Sequence, residues 1–397
     1  MKKELLILVF IIALSIFPRI WKLNELPPIV VDEPAYLRDI NKMNLNKDFY
    51  PANFQWDFSQ ATLAYYPTIL LTKLFFLNEL TALRLSSVIF SILALIPFYF
   101  LVKKYTNEIV ALSSTVLFSF SYYYLQFSRV GWGVIFPIFF GLMLIWIIDG
   151  ITNSNYLKRV LLSGIVSGVI MYLYRAGEIY IACSFIYLVF KTFRLNADLS
   201  KKIFAVILFL TIFLIVSLPW INTIYGNIDR FLLRAKVVSI NNVNTPYHRL
   251  SNKSEIMIYQ ITKSLNSWIL LLPVDGGGYE NKRYLPLSFT PINPILIPLF
   301  LMGFILSLIK LKTYFVWILI YGIGIVLGQI LTVDPPNGAR GLILLPIIYF
   351  LIALALFYIY KKFQKKNFVD YALLLLTLAV VIFDLFFYFN WMSWIIV

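Results

Sequence analysis

The chain has little with which to build a soluble catalytic core. Of its 397 residues, only 13% are charged, against roughly 25% in an ordinary soluble domain, and 60% are hydrophobic. There is one cysteine, Cys183, so no intramolecular disulfide and no multi-cysteine metal site can form. There is one histidine, His248, which excludes two-histidine motifs such as H-E-x-x-H. No P-loop and no G-x-G-x-x-G occurs, so the usual nucleotide cradles are absent, and no internal repeat is apparent. Charge is also scarce inside the long apolar runs, with Asp149 and Asp384 near their ends, whereas carriers of polar solutes place ionisable groups near mid-membrane.

Apolar runs of bilayer length, by contrast, recur along the whole chain. A spanning helix needs about 20 mostly apolar residues. Runs of that kind fall at 5–21, 84–102, 107–125, 131–149, 159–174, 177–192, 203–221, 293–310, 313–332, 341–360 and 368–388. The expected fold is an all-α polytopic membrane protein of about 11 transmembrane helices, a single unit over residues 1–397, with a small extracytoplasmic cap. The start, Met1-Lys2-Lys3 followed by Leu5 to Phe17, imitates a signal peptide. It lacks a small-residue cleavage site and is read as an uncleaved first helix.

The net charge of +15 reads as topology rather than as a nucleic-acid footprint, because the lysines sit in short segments between apolar runs. One further segment, 61–77, is short and holds Pro67 and Lys73. If it does not cross, Lys2-Lys3, Lys103-Lys104, Lys158-Arg159, Lys191 to Lys202, Lys310, Lys312 and Lys361 to Lys366 all fall on the inner face. The positive-inside bias therefore makes 61–77 an interfacial or re-entrant helix on the outer face, with a cytoplasmic amino terminus. The outer face then holds segments 22–83 and 222–292 and the turns around Arg129, Arg175 and Arg340. Segment 32–47 is predicted helical from near Pro34. Segment 254–272 is predicted to lie on the membrane surface through Ile256, Ile258, Ile261, Leu265 and Ile269.

Candidate chemistry gathers on that outer face. Asp32 and Glu33 follow the exit of the first helix, in the stretch Pro27-Pro28-Ile29-Val30-Val31-Asp32-Glu33-Pro34-Ala35-Tyr36. A carboxylate there suits a general base acting on an acceptor hydroxyl or amine. Acids at a helix start also serve as caps, and spacing alone leaves both open. Arg340, at the outer end of a helix, suits bidentate binding of a phosphate or simple anchoring at headgroup depth. Arg129, Arg175 and Glu178 lie in short outer turns, and the last two, three residues apart, are spaced to pair across one helical turn. Tyr36 and, in the long loop, Lys282 and Arg283 beside Asp275-Gly276-Gly277-Gly278-Tyr279-Glu280 complete the expected substrate-facing set.

Taken together, the Asp32-Glu33 pair after the first helix, the helix start Arg84-Leu85-Ser86-Ser87, the Ser128-Arg129 turn, and Arg340 followed by Pro346 resemble the GT-C glycosyltransferases. Within that superfamily they are most similar to the protein O-mannosyltransferases and lipid A aminoarabinose transferases. The likeness runs from about Leu5 to Tyr360. It implies transfer of a sugar from a polyprenyl-phosphate donor to a lipid, glycan or protein acceptor on the extracytoplasmic side, with inversion. Under it Asp32 is the base, Glu33 supports the geometry, and Arg340 meets the lipid phosphate. Many relatives carry another acid soon after the Ser-Arg turn. Here that turn runs on as Val130-Gly131-Trp132-Gly133, so no metal and no cofactor is expected. Two rival classes remain. A lipid-linked oligosaccharide flippase would show repeats or mid-membrane charge. An O-antigen ligase or polymerase type of enzyme would use His248, Arg249, Lys282 and Arg283 and be indifferent to Asp32.

Overall fold

The computed structural model describes residues 2–29, 32–43, 52–53, 60–241, 253–273, 290–333, 335–364 and 368–390. The chain opens with α1 (Lys2–Ile20) and α2 (Glu33–Lys42). A two-residue antiparallel ribbon, β1 (Ala52–Asn53) with β2 (Gln60–Ala61), precedes α3 (Tyr65–Phe75). Then follow α4 (Glu79–Leu93), α5 (Leu95–Tyr105), α6 (Glu108–Phe120), α7 (Tyr122–Arg129), α8 (Phe136–Asp149), α9 (Tyr156–Ile170), α10 (Glu178–Phe193) and α11 (Leu199–Tyr225). The remainder is α12 (Ile228–Val238), α13 (Lys253–Trp268), α14 (Ile297–Ile309), α15 (Leu311–Ile325), α16 (Gly338–Gly341), α17 (Leu345–Phe363) and α18 (Phe368–Asn390).

Local sequence sets many of these boundaries. Asn78 caps α4 by accepting the Leu80 N–H, and Asn107 caps α6 by accepting that of Val110. Glu79 and Glu108 then place an anion on the first turn, where the helix dipole favours it. Among the described residues, six helical stretches are long and apolar enough to cross a membrane: Glu79–Tyr105, Arg175–Phe193, Leu199–Tyr225, Leu311–Ile330, Gly338–Phe363 and Phe368–Asn390. Glu108–Phe120, Gly133–Asp149 and Pro294–Ile309 are shorter apolar helices. Every span expected from hydropathy overlaps a helix, and the protein is an all-α polytopic membrane protein. The segment expected at the interface contains α3, which at 11 residues is about 16 Å long, too short to cross.

The structure corrects one expectation. The run 107–125 is not one helix. Ser121 takes an extended backbone (φ −51°, ψ 128°), ending α6 and starting α7, whose eight residues are all buried. Helix α13 turns Ile258, Ile261 and Leu265 outward, the face expected to meet the membrane surface, and turns Gln260, Ser264 and Ser267 inward.

The bundle has two distinct ends. At one, Asp149 is buried and accepts from Tyr105 (3.0 Å) and Tyr187 (2.5 Å), with Lys104 at 2.7 Å and Lys191 at 3.9 Å. This clamp joins α5, α8 and α10, and nearby Glu4 of α1 pairs with Lys103. Because α1, α5, α8 and α10 each put one terminus there, their other termini collect at the opposite end. Between the ends, α14 and α17 pack in close contact. A Cβ on Gly303 would come 1.8 Å from the Leu351 carbonyl oxygen, so only glycine allows that approach.

Candidate functional site

The end opposite the lysine clamp is organised around a buried carboxylate. Glu33, the first residue of α2, has no exposed surface. Its Oε1 accepts from Arg84 Nε (2.8 Å) and from the Gly131 N–H (2.7 Å), and its Oε2 accepts from Arg84 Nη2 (2.8 Å). The same guanidinium donates to the carbonyls of Leu23 (2.6 Å), Pro27 (2.8 Å) and Pro28 (3.3 Å). One arginine on α4 thus ties Leu23, Pro27 and Pro28, which follow α1, to the first turn of α2. A planar fork with five donors can satisfy that many acceptors at once.

Gly131 belongs to this lock. A Cβ there would meet Leu83 Cγ at 2.5 Å and Cδ2 at 2.7 Å, and Glu33 Oε1 at 3.1 Å. Gly131→Ala is expected to lower stability by about 1–3 kcal/mol, the range for overpacking a filled interior. A thermal melt of the reconstituted protein reads this directly, and an unchanged midpoint would show that Leu83 yields freely.

Arg129 is consumed by the same collar. It donates to the carbonyl oxygens of Pro18, Trp21 (2.7 Å) and Leu26 (2.7 Å), and its guanidinium lies over the rings of Tyr388 (5.6 Å) and Phe389 (5.4 Å). Sequence placed Arg129 among the substrate-binding groups. In the structure it holds the end of α1 against α18. Arg19, which sequence reasoning passed over, is buried one turn earlier in α1. It donates to Ser91 Oγ (3.1 Å), the Ser15 carbonyl (2.8 Å) and the Ser119 carbonyl (2.8 Å). Its signal was available in retrospect, since it is the only basic residue in the apolar run that follows Lys3.

The lock aims Asp32. Asp32 occupies the N-cap position of α2 yet makes no side-chain capping bond there, so the capping role open at the sequence level is not used. One turn on, Tyr36 lies against Tyr65 with ring centroids 5.7 Å apart. Burial pushes the Tyr36 phenol well above its ordinary value, with Tyr65, Asp32 and Tyr174 adding to the rise and a hydrogen bond with Trp132 opposing it. Tyr36 therefore stays protonated and keeps a donor beside the Asp32 charge. Asp39, further along α2, is a second buried carboxyl that sequence did not single out; its charge acts on Tyr65.

The neighbouring turns converge on this region. The Leu63 N–H donates to the Tyr172 carbonyl (3.1 Å), joining the start of α3 to the turn that carries Arg175. Arg175 donates to the Phe231 carbonyl (2.8 Å) and sits 3.9 Å from that ring's centroid. It is close enough to Glu178 to act on that half-buried carboxyl's charge. Phe231 lies on α12, whose far end pairs with the segment before Arg340: Val333 N–H donates to Val238 O (2.8 Å) and Ser239 bridges Thr332. Arg340 in turn donates to the Val333 carbonyl (2.6 Å), and Asn337 caps its short helix. Tyr180 Oη donating to the Ile343 carbonyl (2.9 Å) ties α10 to the same region. Asp32, Tyr36, Arg175, Glu178 and Arg340 therefore share one end of the bundle. Lys282 and Arg283 lie outside the described residues, as do His248 and Arg249. Among the described residues, no group of three or more His, Cys, Asp or Glu converges as a metal site would require.

This architecture resembles that of the GT-C membrane glycosyltransferases. Residues 59–221, less than half of the chain and running from just before α3 into α11, match the family model described as dolichyl-phosphate-mannose-protein mannosyltransferase. The fold is similar to ArnT from Cupriavidus metallidurans in the apo state (TM-score 0.60, 12% identity, 92% of this chain and 62% of that one). It is also similar to the same protein bound to undecaprenyl phosphate (TM-score 0.55, 12% identity, 97% and 75%). The Archaeoglobus fulgidus oligosaccharyltransferase complexed with zinc and sulfate gives a TM-score of 0.53 at 14% identity, over 98% of this chain and 53% of that one. The chain thus spans only part of these proteins' lengths. At such identity the likeness carries the fold alone. No curated protein sequence matches the chain.

Proposed function

We propose that the chain is a glycosyltransferase that moves a sugar from a polyprenyl-phosphate donor to an acceptor on the extracytoplasmic side of the membrane. The observation that carries this reading is the Glu33–Arg84–Gly131 lock. It fixes the start of α2 and leaves the adjacent Asp32 with no capping duty to α2, beside a phenol that stays protonated. Glu33, with both oxygens engaged, is the positioning residue, and Asp32 is the base. Asp32 takes the proton of the acceptor hydroxyl or amine as that atom attacks the anomeric carbon. The bond to the lipid phosphate breaks on the opposite face, and configuration inverts. The phosphate leaves with growing negative charge, which Arg340, with Arg175 in support, is placed to offset in a partly dry site. The bound undecaprenyl phosphate of the similar ArnT structure supports a lipid phosphate as the donor's carrier. Placing the amino terminus in the cytosol sets the lysine clamp on the positive-inside face and the site outside.

The test is direct. The purified protein in nanodiscs is incubated with a panel of polyprenyl-phosphate hexoses and pentoses, and released polyprenyl phosphate is measured by mass spectrometry. Turnover of at least one donor is the expected result. No release from any donor, with or without candidate acceptors, would overturn the reading.

A further inference from the structure

Helix α13 is inside out by the standard of a soluble protein. Ile258, Ile261 and Leu265 are 65%, 37% and 41% exposed, while Gln260, Ser264, Ser267 and Trp268 are fully buried. The outward face is what lipid selects. The inward face needs another explanation, because polar groups removed from water are costly unless they find partners. Ser267 finds one in the Lys263 carbonyl (2.7 Å). The Gln260 amide has no hydrogen-bond partner at either its oxygen or its nitrogen, and the Ser264 hydroxyl has none. These two residues are one helical turn apart on one face, about 6 Å along the axis.

The helix that carries them leads to the Arg340 turn. α13 packs against α15 and against the five-residue π-helical segment Val326–Ile330 that prolongs it. Such segments in otherwise α-helical spans concentrate at functional sites. That segment supports the Arg340 turn: Gln329 accepts the Asn337 N–H (2.7 Å) and donates to the Asn337 carbonyl (3.2 Å). The end of α13 reaches the same turn, where a Cβ on Gly341 would fall 2.0 Å from the Trp268 ring, and Tyr321 Oη donates to the Trp268 carbonyl. An uncharged buried amide and hydroxyl, both able to donate and accept, suit sugar hydroxyls better than a phosphate, which Arg340 suits.

We propose that Gln260 and Ser264 form a polar wall that hydrogen-bonds the hydroxyls of a monosaccharide. This rests on the glycosyl transfer proposed above, in which that sugar is the donor's and its phosphate lies against Arg340. The pair then sets which sugar is accepted. A buried site built to bond hydroxyls discriminates strongly against a ligand lacking them, because its own groups are left unpaired.

Gln260→Leu, which keeps the volume and removes the amide, and Ser264→Ala are compared with wild type in nanodiscs. Both variants are expected to melt at or above the wild-type temperature, since each removes an unpartnered polar group. Both should raise KM for the preferred donor by about tenfold or more, the worth of a lost bond at a paired site, or change the order of sugars accepted. Inhibition by bare decaprenyl phosphate should be unchanged. Wild-type KM and sugar ranking in both variants would overturn the proposal. So would a fall in melting temperature accompanied by equal weakening toward bare decaprenyl phosphate, which marks a purely structural stripe. Should wild type turn over no donor, the transfer reading falls and the wall is judged separately on a panel of methyl glycosides. A wild-type melting shift that Gln260→Leu abolishes sustains the wall, and no shift with any sugar overturns it.

Discussion

Asp32→Asn is expected to fold like wild type and to lose sugar transfer by about 10²–10⁴-fold, the contribution of a positioned general base. The two halves of this outcome have separate causes. Stability should hold because the Asp32 side chain makes no capping bond to α2, so the isosteric amide removes no helix cap. Activity should fall because an amide cannot take the acceptor's proton. The proposed base sits at the start of a helix held at its first turn by an ion pair, so a mobile neighbour cannot easily replace it. Paired melts and released-lipid assays on the same preparations measure both halves. Transfer within a few-fold of wild type would remove Asp32 from the base role and favour the ligase-type chemistry of the outer loop.

The membrane architecture was legible because hydropathy needs no tertiary information. Every apolar run overlaps a helix, and the lysine-bearing turns that fixed the expected topology include the residues that clamp Asp149. The α2 start near Pro34 was legible for the same local reason: proline is tolerated in a first turn. What sequence could not supply was pairing at distance. Glu33 and Arg84 both stood out, but their contact spans 51 positions in the chain, and no local pattern links them. Arg129 looked like a substrate arginine because an exposed turn was assumed. Instead, the turn folds under the end of α1 and spends its donors on carbonyls.

The orientation of α13 agrees with the apolar spacing that suggested a surface helix. A 3.6-residue period says that a helix has two faces and does not say which one is buried. That depends on whether water or lipid lies outside, and an outward Ile258 at 65% exposure fits a helix lying on a membrane surface. The break at Ser121 carries no proline or glycine signal at all. The chain reorients there so that all of α7, including the charged end at Arg129, becomes interior. That break falls at the end of the bundle that holds the candidate site, where local preference is overridden by packing.

The buried ion pair gives the second large effect. Arg84 and Glu33 are both fully removed from solvent, and breaking such a pair by removing one member typically costs about 3–5 kcal/mol, because the remaining charge is stranded. Glu33→Gln is therefore expected to destabilise strongly. It leaves a guanidinium held only by the carbonyls of Leu23, Pro27 and Pro28 and by a weaker amide. Arg84→Lys keeps the charge but replaces a five-donor fork with a compact ammonium that cannot reach both carboxylate oxygens and those carbonyls together. It should fold with a lowered midpoint and a reduced kcat, while KM for the donor changes little, because α2 is no longer held at one angle and Asp32 drifts from the acceptor. The double change Glu33→Leu with Arg84→Met separates the two roles. Removing both charges should recover much of the stability lost in Glu33→Gln, as replacement of buried pairs by apolar groups often does. Activity should stay low, because the α1–α2 link loses the donors that shape it. If the double variant is as active as wild type, the lock only stabilises the fold, and the placement of Asp32 must come from elsewhere in α2.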